Sequence, residues 1–466
     1  MEKHPIQSNQ KVAVFGAGLV GSLLGILLAR RGFRVEIHEK RPDLRFHRYT
    51  SLRSINLALS HRGWRALEEA GLGEALRQEA LPMYGRVVHP EGGGEEMFFP
   101  YGEKDQAIYS VSRHRLNCIL LDEAARQPGL RLYFESKAEK FSFDKSLAYV
   151  ADVEGLRHRI EADAFLGSDG AFSALRYEMM REDKFDYQQD YIEHGYKEFT
   201  IPPAAGGDWA LRPDGLHIWP RRSFMLIALP NRDRTFTATL FFPFEGPGSF
   251  ASVATPEEIE AFFSREFPDF LTRVPDVVQQ YTRSPAASLV TIRCAPWNNR
   301  NFLLLGDAAH AIVPFYGQGM NAGFEDCRLL AEALGQHTDW ETLFRDFYNR
   351  RREDAMAISE LALENFVEMR DKVADPHFQL KKKLEAALLK TGVANWIPLY
   401  TMVTFSDIPY AVAQARGRRQ DEVLEILSHL ENWHELPSGE WPARVQNHFQ
   451  TLLPFGLEFP AGLLTD

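Results

Sequence analysis

Residues 11–41 read KVAVFGAGLVGSLLGILLARRGFRVEIHEKR, and no other stretch restricts the fold as tightly. Lys11 to Phe15 is an apolar run of strand length. Gly16-Ala17-Gly18-Leu19-Val20-Gly21 follows at once, then a helical stretch from Ser22 to Arg31. Gly32 ends that helix, and Arg34 to His38 alternates as a second strand closing on Glu39. This is a βαβ unit with a G-x-G-x-x-G turn in its proper context. Gly16 allows the tight turn, Gly18 lets backbone approach a pyrophosphate, and Gly21 lets helix and strand pack closely. The pyrophosphate would sit on the helix N-terminus, where unpaired N–H groups and the dipole favour an anion. Glu39 stands where a carboxylate accepting from ribose hydroxyls is expected. The unit alone does not decide between FAD and NAD.

A chain of 466 residues predicts two or three domains. Its 45% apolar and 25% charged content is that of a globular protein in water. A net charge of −11 argues against nucleic acid and anionic membranes as partners. Cys118, Cys294 and Cys327 are too few and too scattered for a disulfide framework or a metal cluster, so no metal is expected, and they fit a reducing, cytoplasmic setting. The start MEKHPIQSNQ lacks a signal-peptide core. No apolar run reaches membrane-spanning length; Trp396 to Phe405 is about half of it, so no anchor is expected. A homodimer is allowed by the sequence, which carries no signal for or against it.

The expected fold class is α/β (α+β overall), with a Rossmann-like nucleotide-binding domain, an inserted β-sheet domain and a C-terminal helical region. The nucleotide domain is expected in three pieces, 1–84, 105–184 and 295–335. The sheet domain takes 85–104 and 185–294, where Gly215 to Trp219, Phe224 to Leu229 and Phe236 to Phe242 read as strands and Pro256 to Glu266 as a helix. Residues 336–466 form the helical region, with one long helix from Trp340 to Val373 and others over Gln379 to Lys390 and Asp421 to Trp433.

Three segments line up as cofactor motifs: GAGLVG, GSDGAFSALR at 167–176, and LLLGDAAHAIVPFYGQGMNAGFEDC at 303–327. In that order they resemble the FAD-dependent aromatic hydroxylases with a single nucleotide-binding domain. The resemblance implies tightly bound FAD, with Asp307 on its ribityl or ribose side and the helix starting near Gly319 facing the isoalloxazine. Gly317, Gly319 and the amides of Met320 and Asn321 suit a flavin edge that turns anionic on reduction. The same resemblance places Val20, His38, Lys40, Arg41, Ala58, Arg113, Ala138, Asp169 and Ala174 against the cofactor.

Further segments narrow the resemblance to the kynurenine 3-monooxygenase family: RSINLALSHRG (53–63), PYG with YSVSRHRLN (100–117), HGYKE (194–198), LHIWPR (216–221), MLIALPN (225–231), ALENFVEM (362–369) and IPLYTMVTFS (397–406). The match spans Lys11 to about Arg416. It implies hydroxylation of L-kynurenine with NADPH and O2 as co-substrates, NADPH binding transiently because there is no second fingerprint. It also implies an anion clamp of Arg86, Tyr101, Asn365 and Tyr400. An arginine fork suits a carboxylate. Asn365 falls on the apolar face of its helix with Ile358, Leu361, Ala362, Phe366 and Met369, so its amide needs partners. A ligand carboxylate, an adjacent tyrosine or an internal structural partner would each serve. The apolar wall would be Leu216, Ile218, Met225, Ile227, Leu229 and Phe241, alternate strand residues on one face; without the resemblance they read as ordinary core. Pro314 and Phe315 would close the slot beside the flavin. Tyr316 departs from the family's pattern. No residue is assigned as catalytic acid or base, and His310 reads as structural more readily than as a proton carrier. The rivals are a related flavin hydroxylase acting on a phenolic acid, and a flavin-containing interaction protein.

Overall fold

Val12, Ala13, Val14 and Phe15 are all buried, the mark of a parallel strand covered on both faces. That strand, β1 (Lys11–Phe15), sits inside a six-stranded sheet. Its neighbours are β2 (Arg34–His38) on one side and the strand Ala164–Gly167 on the other, both parallel. Beyond them run Leu130–Tyr133 at one edge and Phe302–Leu304 with Asn298–Asn299 at the other. The sheet thus draws strands from three separated segments, and the helix α1 (Leu19–Arg30) packs across it. The computed structural model of the chain describes residues 6–47, 56–102, 106–283, 285–369, 375–391, 396–437 and 439–452. The first residues of the 53–63 segment and the helix end expected at Val373 lie outside them.

A seven-stranded sheet, in the order Ala287–Ala295, Asp186–Ile201, Phe236–Pro243, Phe224–Pro230, Gly215–Arg221, Gly85–Val88 and Met97–Pro100, makes the second layer. Period-two alternation splits its side chains between two cores. Trp219, Leu226, Ala228, Leu240 and Phe242 face the helix Pro256–Glu266, which opens on a Thr255/Glu258 capping box. Ile218, Met225 and Phe241 face the other way, toward the C-terminal helices.

Those helices are Trp340–Val367, Pro376–Lys390, Leu399–Phe405, Tyr410–Leu430 and Trp441–Leu452. The helix expected over Asp421 to Trp433 instead starts at Tyr410 and ends at Leu430. It runs through Gly417, where a Cβ would come within 2.8 Å of Leu399; the glycine lets two helices close up. Lys137–Ser142, Leu147–Ala151 and Arg157–Glu161 form a separate three-stranded antiparallel sheet. Among the described residues no helix is long and apolar enough to cross a membrane.

Candidate active site

At the fingerprint, Gly16 has φ +102°, and a Cβ there would lie 2.6 Å from the Ser168 carbonyl oxygen. A Cβ on Gly21 would lie 2.0 Å from the oxygen of Gly16. Gly18 differs: it caps α1 with extended backbone, and a Cβ there meets nothing within 4 Å. Its backbone is bare on the side from which a pyrophosphate would approach, so the turn fits a dinucleotide. Glu39 is buried, with Oε2 accepting from the Ala17 amide (2.9 Å) and Oε1 from the Arg41 amide (3.0 Å) and Nε (2.8 Å). Burial pushes this carboxyl up, but Arg41 and the two amides hold it, on balance, below the usual carboxylate range. It is therefore an ionised acceptor.

Asp169 shows the opposite balance: burial raises it despite a 2.7 Å bond from the Ala174 amide, and its Oδ1 lacks a hydrogen-bond partner among the described residues. Asp307 opens the short helix Asp307–His310 after the strand Phe302–Leu304 and is exposed, as are Lys40, Arg41 and Arg113. Val20 packs against Gly306 and Gly323. Ala58 and Ala138 are half-buried. The His38 ring turns into the protein, stacked on Tyr133 and paired with Ser136, while its carbonyl accepts from Gly16. Asn321 is spent internally: Oδ1 accepts from the Ser60 amide and Nδ2 donates to the carbonyls of Ala58 and Gly317. That side chain fastens the turn before Gly319 to the strand Asn56–Leu59. His310 bonds Asp326 at 2.6 Å, and Asp326 bonds Arg351 at 3.0 Å.

The structure brings Arg86, Tyr101 and Tyr400 together. The two tyrosine rings stack at 5.2 Å, and the Arg86 guanidinium lies 4.8 Å from the Tyr400 centroid. Arg86 Nε and the Tyr101 hydroxyl are buried with no hydrogen-bond partner among the described residues. Burial works against the Arg86 charge, yet Tyr400, Tyr101 and Glu368 keep its pKa above the ordinary value. Burial, then Tyr400, raises Tyr101 far above a normal phenol, so it is a neutral donor. Asn365 is held differently from the partners a ligand or tyrosine would supply. Its Nδ2 donates to the Phe315 carbonyl at 2.7 Å and touches Met369 Sδ at 3.2 Å, so the partner is internal.

Leu216, Ile218, Met225, Ile227 and Phe241 share one cluster with Phe315, Tyr316, Phe366 and Tyr400. Leu229 joins Leu216, Ile227, Tyr101 and Ala58 in an adjoining one. Phe315 lies against Phe241 at 4.9 Å and Phe366 at 4.2 Å, and Pro314 beside it is exposed. Sequence reasoning left the role of Tyr316 open and passed over Glu368. Tyr316 stacks on Tyr400 at 5.7 Å, extending the pair to three rings. Glu368, half-buried at the end of the helix Trp340–Val367, carries a charge that helps to raise Arg86 and Tyr316 above their ordinary values. A carboxylate on the same helix as Asn365, three residues on, was the signal available for it.

A dinucleotide-binding turn in one sheet, and a half-buried arginine against an apolar cluster in the other, are the parts of a flavin-dependent monooxygenase of the aromatic hydroxylase type. A family model described as an FAD binding domain matches residues 9–358. Solved structures share the fold: a probable FAD-dependent monooxygenase, pqsL, from Pseudomonas aeruginosa (TM-score 0.63, 20% identity, 78% of this chain and 97% of that one) and 2-methyl-3-hydroxypyridine-5-carboxylic acid oxygenase (TM-score 0.63, 19% identity, 79% and 95%). Among curated relatives, the kynurenine 3-monooxygenase of Flavobacterium psychrophilum is 43% identical over 430 residues, covering 92% of this chain and 95% of its own. That of Myxococcus xanthus is 45% identical over 420 residues, 90% of each. The chain belongs to the kynurenine 3-monooxygenase family.

Proposed function

We propose that this chain hydroxylates L-kynurenine to 3-hydroxy-L-kynurenine, consuming NADPH and O2. When bound, FAD supplies the redox chemistry, passing two electrons from NADPH to O2 so that one oxygen atom reaches the ring and the other leaves as water. The turn at Gly16 to Gly21 and the carboxylates of Glu39, Asp169 and Asp307 would hold it.

The protein's own part is grip and dryness. Kynurenine carries an α-amino acid at one end and an aminophenyl ketone at the other, and the pocket is polarised the same way. Arg86 and the Tyr101 hydroxyl take the carboxylate, and Tyr400 walls that end. The charge of Glu368, which supports Arg86, would attract the ammonium, a group for which a phenolic acid has no equivalent. Leu216, Ile218, Met225, Ile227, Leu229, Phe241 and Phe315 flank the ring and exclude water from the oxygen transfer. Asn365 supports Phe315 from behind. Because an aniline is already electron-rich, no side chain has to ionise it. The three cysteines are unpaired thiols, which fits a cytoplasmic setting.

The observation that carries the reading is the half-buried Arg86 whose inward Nε, like the Tyr101 hydroxyl, has no hydrogen-bond partner among the described residues and lies against the apolar cluster. The test is NADPH consumption, with product identification, on adding L-kynurenine, 4-hydroxybenzoate or nothing. Kynurenine-dependent turnover yielding the 3-hydroxy product is expected. Hydroxylated product from 4-hydroxybenzoate alone, or NADPH consumption that does not depend on kynurenine, would overturn it.

A further inference from the structure

The helix Leu399–Phe405, which carries Tyr400, has seven residues, too few to be stable alone. Its last four carbonyls, Met402 to Phe405, have no partners within the helix. Ser406 Oγ takes the carbonyl of Met402 at 2.6 Å. The carbonyl of Val403 is met from outside, by Nε of Arg62 at 3.3 Å.

Arg62 lies on the helix His61–Glu69 and is 2% exposed. Its other nitrogens are engaged as well. Nη2 donates to the Ile408 carbonyl and Nη1 to Glu325 Oε1, and the guanidinium sits 4.0 Å from the Tyr410 ring centroid. Glu325 belongs to the helix Gly319–Ala333 and is also paired with Arg351 at 3.0 Å. The Tyr410 hydroxyl donates to Gln318, the residue before that helix, at 2.9 Å. One planar cation thus joins the helix that begins at the cofactor-side turn to both ends of the loop between Tyr400's helix and the next.

We propose that Arg62 is a positioning residue for the substrate clamp: it caps the Leu399–Phe405 helix across the interface and sets Tyr400 in register with Arg86, Tyr101 and the cofactor-facing turn. A lysine keeps the charge opposite Glu325, but a single ammonium lacks the fork that reaches Val403, Ile408 and Glu325 at once. The functional half of this inference rests on the kynurenine reading above.

The test compares wild type, Arg62→Lys and Arg62→Met for FAD content, melting temperature, kynurenine affinity, hydrogen peroxide formed per NADPH oxidised, and amide exchange over 399–405. For Arg62→Lys, FAD content should match wild type and exchange over 399–405 should speed up. KM for kynurenine should rise about tenfold, the scale of one lost charged hydrogen bond, and peroxide should replace part of the hydroxylated product. A role in stability alone would lower the melting temperature and leave the KM and peroxide yield of the FAD-loaded fraction unchanged, and that result overturns the proposal. If Arg62→Met does not retain FAD, Arg62→Lys decides. If wild type does not turn over kynurenine, the substrate reading fails, while exchange at 399–405 still decides the link from Arg62 to its helix.

Discussion

Asn365 Nδ2 donates to the backbone carbonyl of Phe315 across 2.7 Å, so a residue in the long C-terminal helix holds the turn that closes the apolar slot. Both groups are buried, and loss of the donor strands a carbonyl away from water. Asn365→Ala should therefore cost about 1–3 kcal/mol of stability. It should also loosen Phe315 against Phe241 and Phe366 and raise the KM for kynurenine. Asn365→Asp, which sets an acceptor against an acceptor, should be worse on both counts. Thermal melts and steady-state kinetics on FAD-loaded protein check this; an alanine variant with unchanged melting temperature would mean the bond carries no weight.

Arg86 makes the sharper prediction for binding. It is a half-buried charge whose Nε is turned away from solvent, and the substrate carboxylate is the partner proposed for it. Arg86→Ala should weaken kynurenine binding by on the order of 2–5 kcal/mol, the cost of removing one member of a desolvated ion pair. Arg86→Lys should recover only part of that, since an ammonium lacks the planar fork. Titration of kynurenine against the flavin spectrum measures both, and unchanged affinity in Arg86→Ala would place the carboxylate elsewhere.

What was legible in the sequence follows from where each signal is stored. The βαβ fingerprint, the Pro256–Glu266 helix with its Thr255/Glu258 cap, and the alternation that puts Ile218, Met225 and Phe241 on one face are local patterns, readable from neighbouring residues. The start of the last long helix at Tyr410 was not, because Gly417 reads as a breaker until the partner it accommodates, Leu399, is known. Arg62 was equally opaque. A lone arginine in a polar stretch reads as a solvated charge, and its burial depends on Glu325, Val403 and Ile408, all more than 200 positions away. Asn365 was placed on the right face, but its partner is a backbone carbonyl 50 residues distant, which no side-chain pattern encodes.

Gly18 separates cofactor binding from folding. Its φ is −73° and a Cβ there touches no protein atom within 4 Å, so the backbone can accept a side chain. Gly18→Val should fold, with a far-ultraviolet spectrum like that of flavin-stripped wild type, and should not retain FAD. Gly21→Val is the contrast: its Cβ would lie 2.0 Å from the Gly16 oxygen, so the turn itself must break and folded yield should fall. A yellow, fully loaded Gly18→Val protein would contradict the assignment of the pyrophosphate to this turn.

The last prediction concerns acid stability and a cluster outside the pocket. His217 Nε2 lies 2.8 Å from the Arg212 carbonyl, an acceptor only, so that nitrogen carries the proton and donates. Nδ1 must then accept from His89 Nε2, at 2.9 Å, while His89 Nδ1 faces Asp269 Oδ2 at 2.9 Å. Burial pushes His217 down to about 3, with His89, Arg273 and Arg212 opposing its charge in the same direction. Burial alone would raise Asp269, but bonds from His89 and Trp219 bring it to about 2. In the unfolded chain His217 protonates near 6.5, so between about 6.5 and 3 the unfolded state holds the extra proton and stability falls as pH falls. Asp269 adds its loss only below about 3.8. The melting temperature should therefore decline on acidification from pH 7 to pH 4, and His217→Gln, which cannot take up a proton, should flatten that slope while lowering the plateau. Scanning calorimetry of both proteins across that range measures the effect, and parallel slopes would show that His217 is not the group being titrated.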